Sequence, residues 1–286
     1  LIPLMKKFKN KNSNKKIIYD IHEYYKEVIL SKKWIPKVFR KLISEYVWKR
    51  ETDACKIFDL TIAATEELAD IYKPYSKKNS FILNYDFKKT INLCEKYDGD
   101  LKDIDVIHVG TISEERFRFL YEVFLNLYND NIFLNWYFIG VTNGLIEKYN
   151  RIISKEQKEY IHFIGRIPFE DVKKYYIRTK IGINYHPFEK RFLIAIPMKI
   201  FEYMKYGLAV ITTNLPTLKK YLKNGNNGEI VEDNTVNGFS RAIRKLIKEG
   251  NFEEISIYNK KIIFEKYNWE TESEKLLKLY TEMGEK

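Results

Sequence analysis

From about residue 104 onward, short apolar runs alternate with stretches whose apolar residues return every three or four positions. The runs are 104–110 ("IDVIHVG"), 134–140 ("LNWYFIG"), 160–165 ("YIHFIG"), 180–185 ("KIGINY"), 208–213 ("LAVITT") and 228–231 ("GEIV"). Between them lie helical patterns at 116–128, 169–179 and 197–207. Strand, helix, strand at this spacing predicts a parallel sheet covered on both faces. Helical patterns at 236–250, 252–267 and 270–283 close the chain. The first hundred residues carry a shorter version: strands at 15–20, 59–64 and 80–85, a long helix at 36–56 and a capped helix at 65–73. Residues 88–103 are polar, hold Gly99 and show little periodicity, so they read as a linker. The expected division is 1–98, 104–266 and a final helix at 267–286 that returns to the first unit.

Composition narrows the class without naming a function. A chain of 286 residues with 45% hydrophobic and 31% charged positions can bury a large core. No apolar run reaches the ~18 residues of a spanning helix, and no signal peptide is visible. Cys55 and Cys94 stand in no metal-like spacing, which predicts no disulfide framework and no zinc site, and fits a reducing, cytoplasmic setting. The net charge of +11 suits an anionic partner, whether phosphorylated small molecule, lipid surface or nucleic acid. No zinc finger, RNA-recognition motif or arginine-rich block supports the last.

The segment 194–214, "IAIPMKIFEYMKYGLAVITTN", holds the sharpest chemistry. Pro197 suits a first helical position and Gly207 the position past the end, which predicts a helix over 197–206. Pro197, Ile200, Phe201 and Met204 form its buried stripe. Lys199 and Glu202 share another face, either as a surface pair worth ~0.2–0.5 kcal/mol or facing a ligand. The connection lies between parallel strands, so the helix N-terminus falls at the carboxyl edge, where such sheets bind ligands and free N–H groups attract anions. Glu202 would stand about 7.5 Å further along the axis, within reach of a ribose behind a pyrophosphate.

This segment resembles the donor-site segment of the retaining GT-B glycosyltransferases of family 4, whose pattern is Pro-x-Lys-x-x-Glu-Tyr-Met, then Gly and an apolar strand. The resemblance implies two Rossmann-like α/β domains of the GT-B type, a nucleotide-sugar donor (UDP- or GDP-linked), Glu202 on the ribose, and Pro197 and Lys199 beside the diphosphate. "VIHVGTISEERF" (106–117) resembles the family's glycine-rich turn, which implies that Gly110 lies under the donor phosphates and that Arg116 neutralises them. Thr111 stands where the family often has a second basic residue. "FIGRIPFEDV" resembles the loop beside the nucleotide base and adds Gly165 and Arg166. "IIYDIHEYY" (17–25) resembles the end of a first-domain strand, placing Asp20, His22 and Glu23 near sugar or acceptor; "FILNYDF" adds Asn84. Ile194 occupies the position where the family often holds a sugar-binding glutamate, and Glu189 is the candidate substitute. Only the last three strands of a family first domain are readable, so the chain is expected to be N-terminally truncated or a short variant.

The resulting expectation is a metal-independent, retaining transferase that needs no cofactor beyond its nucleotide-sugar substrate. Its catalytic groups are His22, Arg116 and Lys199; its acceptor is a hydroxyl on a surface-polysaccharide or glycolipid precursor. "DIDV" at 103–106 is the nearest approach to a metal-chelating Asp-x-Asp and reads as the start of a strand. A catalytically incomplete nucleotide-sugar-binding fragment and a GT-B nucleotide-sugar 2-epimerase are the alternatives. The helix over 31–50 mixes seven lysines and arginines with Trp34, Phe39 and Trp48. It either packs Phe39, Leu42, Ile43 and Tyr46 on the sheet or lies on anionic lipid at the inner face of the cell membrane.

Overall fold

A computed structural model describes residues 1–91, 98–99 and 101–284. Cys94 and part of the expected 88–103 linker lie outside the described residues. In chain order the elements are α1 (Ile2–Lys11), β1 (Ile18–Ile21), α2 (Tyr25–Ser31), α3 (Lys37–Cys55), β2 (Leu60–Ala63), α4 (Glu66–Tyr72) and β3 (Asn79–Phe81). There follow β4 (Ile104–Val109), α5 (Glu114–Asn129), β5 (Trp136–Ile139), α6 (Asn143–Asn150), β6 (Ile161–Ile164), α7 (Phe169–Tyr176) and β7 (Thr179–Asn184). The chain ends with α8 (Lys190–Leu193), α9 (Lys199–Lys205), β8 (Ala209–Thr213), β9 (Gly228–Val231), α10 (Val236–Glu249), α11 (Phe252–Glu265) and α12 (Trp269–Gly284).

Two compact units share these elements. The first comprises Leu1–Asp86, Phe188–Ile196 and Trp269–Lys286, the second Phe87–Pro187 and Pro197–Asn268. The first holds a parallel sheet in the order β1-β2-β3. Thr65 caps α4 by accepting from the Leu68 amide, and its hydroxyl donates to the Ile194 carbonyl, tying the 188–196 segment in. Along α12, Trp269, Leu276, Leu279 and Met283 pack with Leu60, Ile62 and Ile82, and Glu272 accepts from the Leu83 amide.

The sequence reading of α3 needs correction. Phe39, Leu42 and Tyr46 are well exposed and Ile43 is 38% exposed. The helix buries Ser44, Glu51, Thr52, Ala54 and Cys55 instead. Its inward face is therefore small and polar. Ser44 donates to the Lys26 carbonyl, and Glu51 accepts from the phenols of Tyr19 and Tyr72. Burial raises the Glu51 carboxyl, and it raises both phenols, with the Glu51 charge adding to their shift.

The second unit carries six parallel strands in the order β6-β5-β4-β7-β8-β9. Every residue of β8 and β9 is buried, including Thr212, Thr213 and Glu229 among otherwise mostly apolar positions. A core of Phe117, Leu120, Phe124, Trp136, Phe138 and Ile181 joins α5 to the sheet. The order of strands reverses between β4 and β7. At that point adjoining connections leave in opposite directions and open a crevice at the carboxyl edge.

Candidate functional site in the second unit

Three loops meet at this reversal. β4 ends at Gly110, whose φ of 101° lies in the left-handed region that suits glycine. A Cβ added there would stand 3.7 Å from Lys199 Nζ, so the lysine end lies directly above the turn. Ser113 then caps α5, accepting from the Arg116 amide. Arg116 Nε donates to the Tyr185 carbonyl at 2.9 Å, just past β7. This one bond spans the reversal and fixes the guanidinium.

Lys199 opens α9, with Met198 as N-cap, so Pro197 stands outside the helix, not at its first position. The expected 197–206 helix is thus seven residues long. Its aligned peptide dipoles are few, and side chains must carry most of the local positive potential. Ile200, Phe201 and Met204 are buried, as the apolar stripe predicts, but so is Tyr203. Its ring fills the space that a Cβ on Gly182 would enter at 2.3 Å. Its hydroxyl accepts from the Val109 amide and donates to the Ile183 carbonyl, binding α9 to both central strands.

Lys199 and Glu202 do not pair with each other. Lys199 Nζ lies 3.1 Å from Nε2 of His108, and Glu202 Oε2 accepts from the Tyr176 phenol at 2.8 Å. Tyr176 in turn stacks on Tyr206. Burial, then the charge of Arg116, push Lys199 down to about 7, against the opposing pull of Glu202. Burial, then the charges of Lys199 and Arg116, hold His108 well below the ordinary imidazole value. The imidazole is therefore neutral at physiological pH. Below about pH 7 Lys199 and Arg116 are both cationic at one crevice with a neutral neighbour, which makes a site for an anion.

Of the remaining expected residues, Thr111, Gly165 and Arg166 follow the carboxyl ends of β4 and β6 in the second unit. Thr111 is exposed beside Gly110, and the Gly165 carbonyl accepts from the Gly140 amide at 3.1 Å, at the end of β6. Arg166 is exposed. In the first unit, His22 Nε2 lies 3.1 Å from Asp20 Oδ2, and Asn84 Nδ2 lies 3.5 Å from His22 Nδ1. The Asp20 carboxylate and the Asn84 amide thus flank the two ring nitrogens of His22. All three are exposed at the carboxyl ends of β1 and β3, as is Glu23. Glu189 belongs to this first unit and forms an ion pair with Arg191 at 2.7 Å.

Four residues of the second-unit site were not anticipated. Tyr176 and Tyr203 lie within the helical patterns at 169–179 and 197–207 with no role assigned there, and Tyr185 contributes only its carbonyl. His108 had a readable signal: it is the one imidazole inside the apolar run of β4.

Residues 103–249 match the family described as Glycosyl transferases group 1. No curated protein matches the sequence. Among solved structures, the pneumococcal O-GlcNAc transferase GtfA, in complex with UDP and GlcNAc, is similar at a TM-score of 0.62 and 16% identity, over 82% of this chain and 47% of that one. Sucrose-phosphate synthase from Thermosynechococcus elongatus gives 0.67 and 13%, over 99% and 77%. Anabaena HepE in complex with UDP gives 0.68 and 12%, over 94% and 73%. The chain thus spans about half the length of the pneumococcal enzyme. At these identities the likeness shows the fold, which is α/β of the GT-B type.

Proposed function

We propose that this chain, which belongs to the group 1 glycosyl transferases, moves a sugar from a nucleotide-diphosphate donor to a hydroxyl acceptor, with retention of configuration and without a metal. The observation that carries this reading is the placing of Arg116 and Lys199 around the Gly110 turn, at the reversal point of a six-stranded parallel sheet. Negative charge grows on the leaving diphosphate as the bond from the anomeric carbon lengthens. Donors already aimed at that charge lower the barrier without reorganising. In this scheme Arg116 and Lys199 supply the positive charge, beside the turn at Gly110 and Thr111 and near Pro197.

Glu202 takes the ribose hydroxyls, with its Oε2 held by the Tyr176 phenol. Gly165 and Arg166 border the base. Asp20, His22, Glu23, Asn84 and Glu189 are assigned to the transferred sugar or acceptor, with His22 the catalytic group among them. UDP accompanies two of the similar structures, which favours uridine over guanosine. Glu202→Gln should weaken UDP binding about tenfold, the cost of a charge-assisted hydrogen bond. Calorimetry reads this directly, and unchanged affinity would reject the ribose assignment.

We further propose a peripheral station on the cytoplasmic face of the cell membrane, with a polysaccharide or glycolipid precursor as acceptor. No helix among the described residues is long and apolar enough to cross a membrane. The support is the outer face of α3 and the turn before it, where Trp34 is 80% and Leu42 68% exposed amid Lys33, Lys37, Arg40 and Lys41. Apolar side chains that enter the interface and lysines worth about 1 kcal/mol each near anionic lipid act together there. Vesicles containing phosphatidylserine should float the protein, and Phe39→Ser with Leu42→Ser should reduce the floated fraction at least about fivefold. Recovery of the wild type wholly in the unbound fraction contradicts this placement.

A further inference from the structure

His108 is the fifth residue of a central strand, 1% exposed, with its ring 6.2 Å from that of Phe138. A valine or isoleucine would serve the strand better. The imidazole must be desolvated, and its Nδ1 is buried without a hydrogen-bond partner. A buried polar atom left unsatisfied costs stability, so its presence calls for a reason outside folding. The other nitrogen meets Lys199 at 3.1 Å.

We propose that His108 is a positioning residue for Lys199: its neutral imidazole receives the lysine amine on Nε2 and holds Nζ over Gly110, where the donor diphosphate binds. The inference rests on the donor-site reading above and deepens it. Lysine has a long flexible stem, and the charge of Arg116 drives its ammonium away from the crevice. An aspartate or glutamate at position 108 would hold it more strongly. Such a carboxylate would also cancel its charge and repel a diphosphate. A neutral acceptor positions the ammonium and leaves its charge for the ligand.

The arrangement couples binding to a proton. Lys199 is faced by Arg116 from α5, Glu202 from its own helix and His108 from β4, and His108 is influenced in turn by His186 after β7. With no anion present Lys199 sits at about 7. A bound diphosphate favours the ammonium and draws that value up. Affinity is therefore greatest below pH 7 and falls above it, approaching tenfold per pH unit.

Two measurements test the assignment. Long-range nitrogen-15 spectra of the four histidines should show His108 with its proton on Nδ1 and no titration between about pH 6 and 8. UDP calorimetry across the same range and up to about pH 9 should show His108→Phe binding about tenfold more weakly, with its pH dependence displaced about one unit downward. His108→Gln, which keeps an acceptor at the Nε2 position, should stay within about threefold of the wild type. A His108 signal protonated on Nε2, or titrating like an ordinary imidazole, overturns the proposal, as does a wild-type pH profile in His108→Phe. The spectra need no nucleotide. The expected tautomer in a protein that binds no UDP would refute the donor site and leave the pair intact; normal binding with the wrong tautomer would do the reverse.

Discussion

Arg116→Ala is expected to lower kcat for sugar transfer by about 10²–10³-fold, the cost of removing one preorganised donor from a developing oxyanion. The size follows from how the side chain is held. Its Nε is committed to the Tyr185 carbonyl, so the guanidinium arrives oriented and loses little freedom when the leaving group charges. The interaction strengthens as the bond breaks, and the loss should fall on kcat more than on KM. Arg116→Lys should recover only a small part, because a lysine cannot both donate to Tyr185 and reach the diphosphate. Steady-state kinetics with a UDP-sugar donor check this. Wild-type turnover in Arg116→Ala would remove the arginine from the reaction.

Phe117→Ala should destabilise the second unit by about 3–5 kcal/mol. Phe117 is fully buried, and its ring lies 4.8 Å from Phe138, 4.5 Å from Tyr149 and 5.5 Å from Phe163. Those partners come from β5, α6 and β6, so one side chain ties α5 to three elements. Its removal opens a cavity that these three aromatic neighbours cannot collapse into without leaving their rotamers. It also loosens the turn of α5 that bears Arg116, so residual activity should fall together with stability. Urea unfolding followed by tryptophan fluorescence, which reports on nearby Trp136, gives the magnitude; a change below about 1 kcal/mol contradicts the packing account.

The strands of the second unit were legible because most of their residues are buried or partly buried and therefore largely apolar. The Gly110 turn and the Lys199–Glu202 spacing were legible through a resemblance that prescribes them. Three features were not. Pro197 fits a first helical position by its fixed φ, yet the helix begins two residues later, at Lys199. Periodicity alone could not say which face of α3 is inward, since its exposed face is the more apolar one and the buried one is held by Ser44 and Glu51. Nor could it show that Phe188–Ile196, lying between β7 and α9 in sequence, belongs to the first unit through contacts such as Thr65 with Ile194. Local pattern reports how much of a segment is buried; it does not report by what.

The most direct test of the donor site is a crystal structure with UDP bound. The account predicts the diphosphate at the carboxyl ends of β4 and β7, with oxygens within hydrogen-bond distance of Arg116 and Lys199 and the ribose on Glu202. A diphosphate seated elsewhere, with the crevice above Gly110 empty, would contradict it.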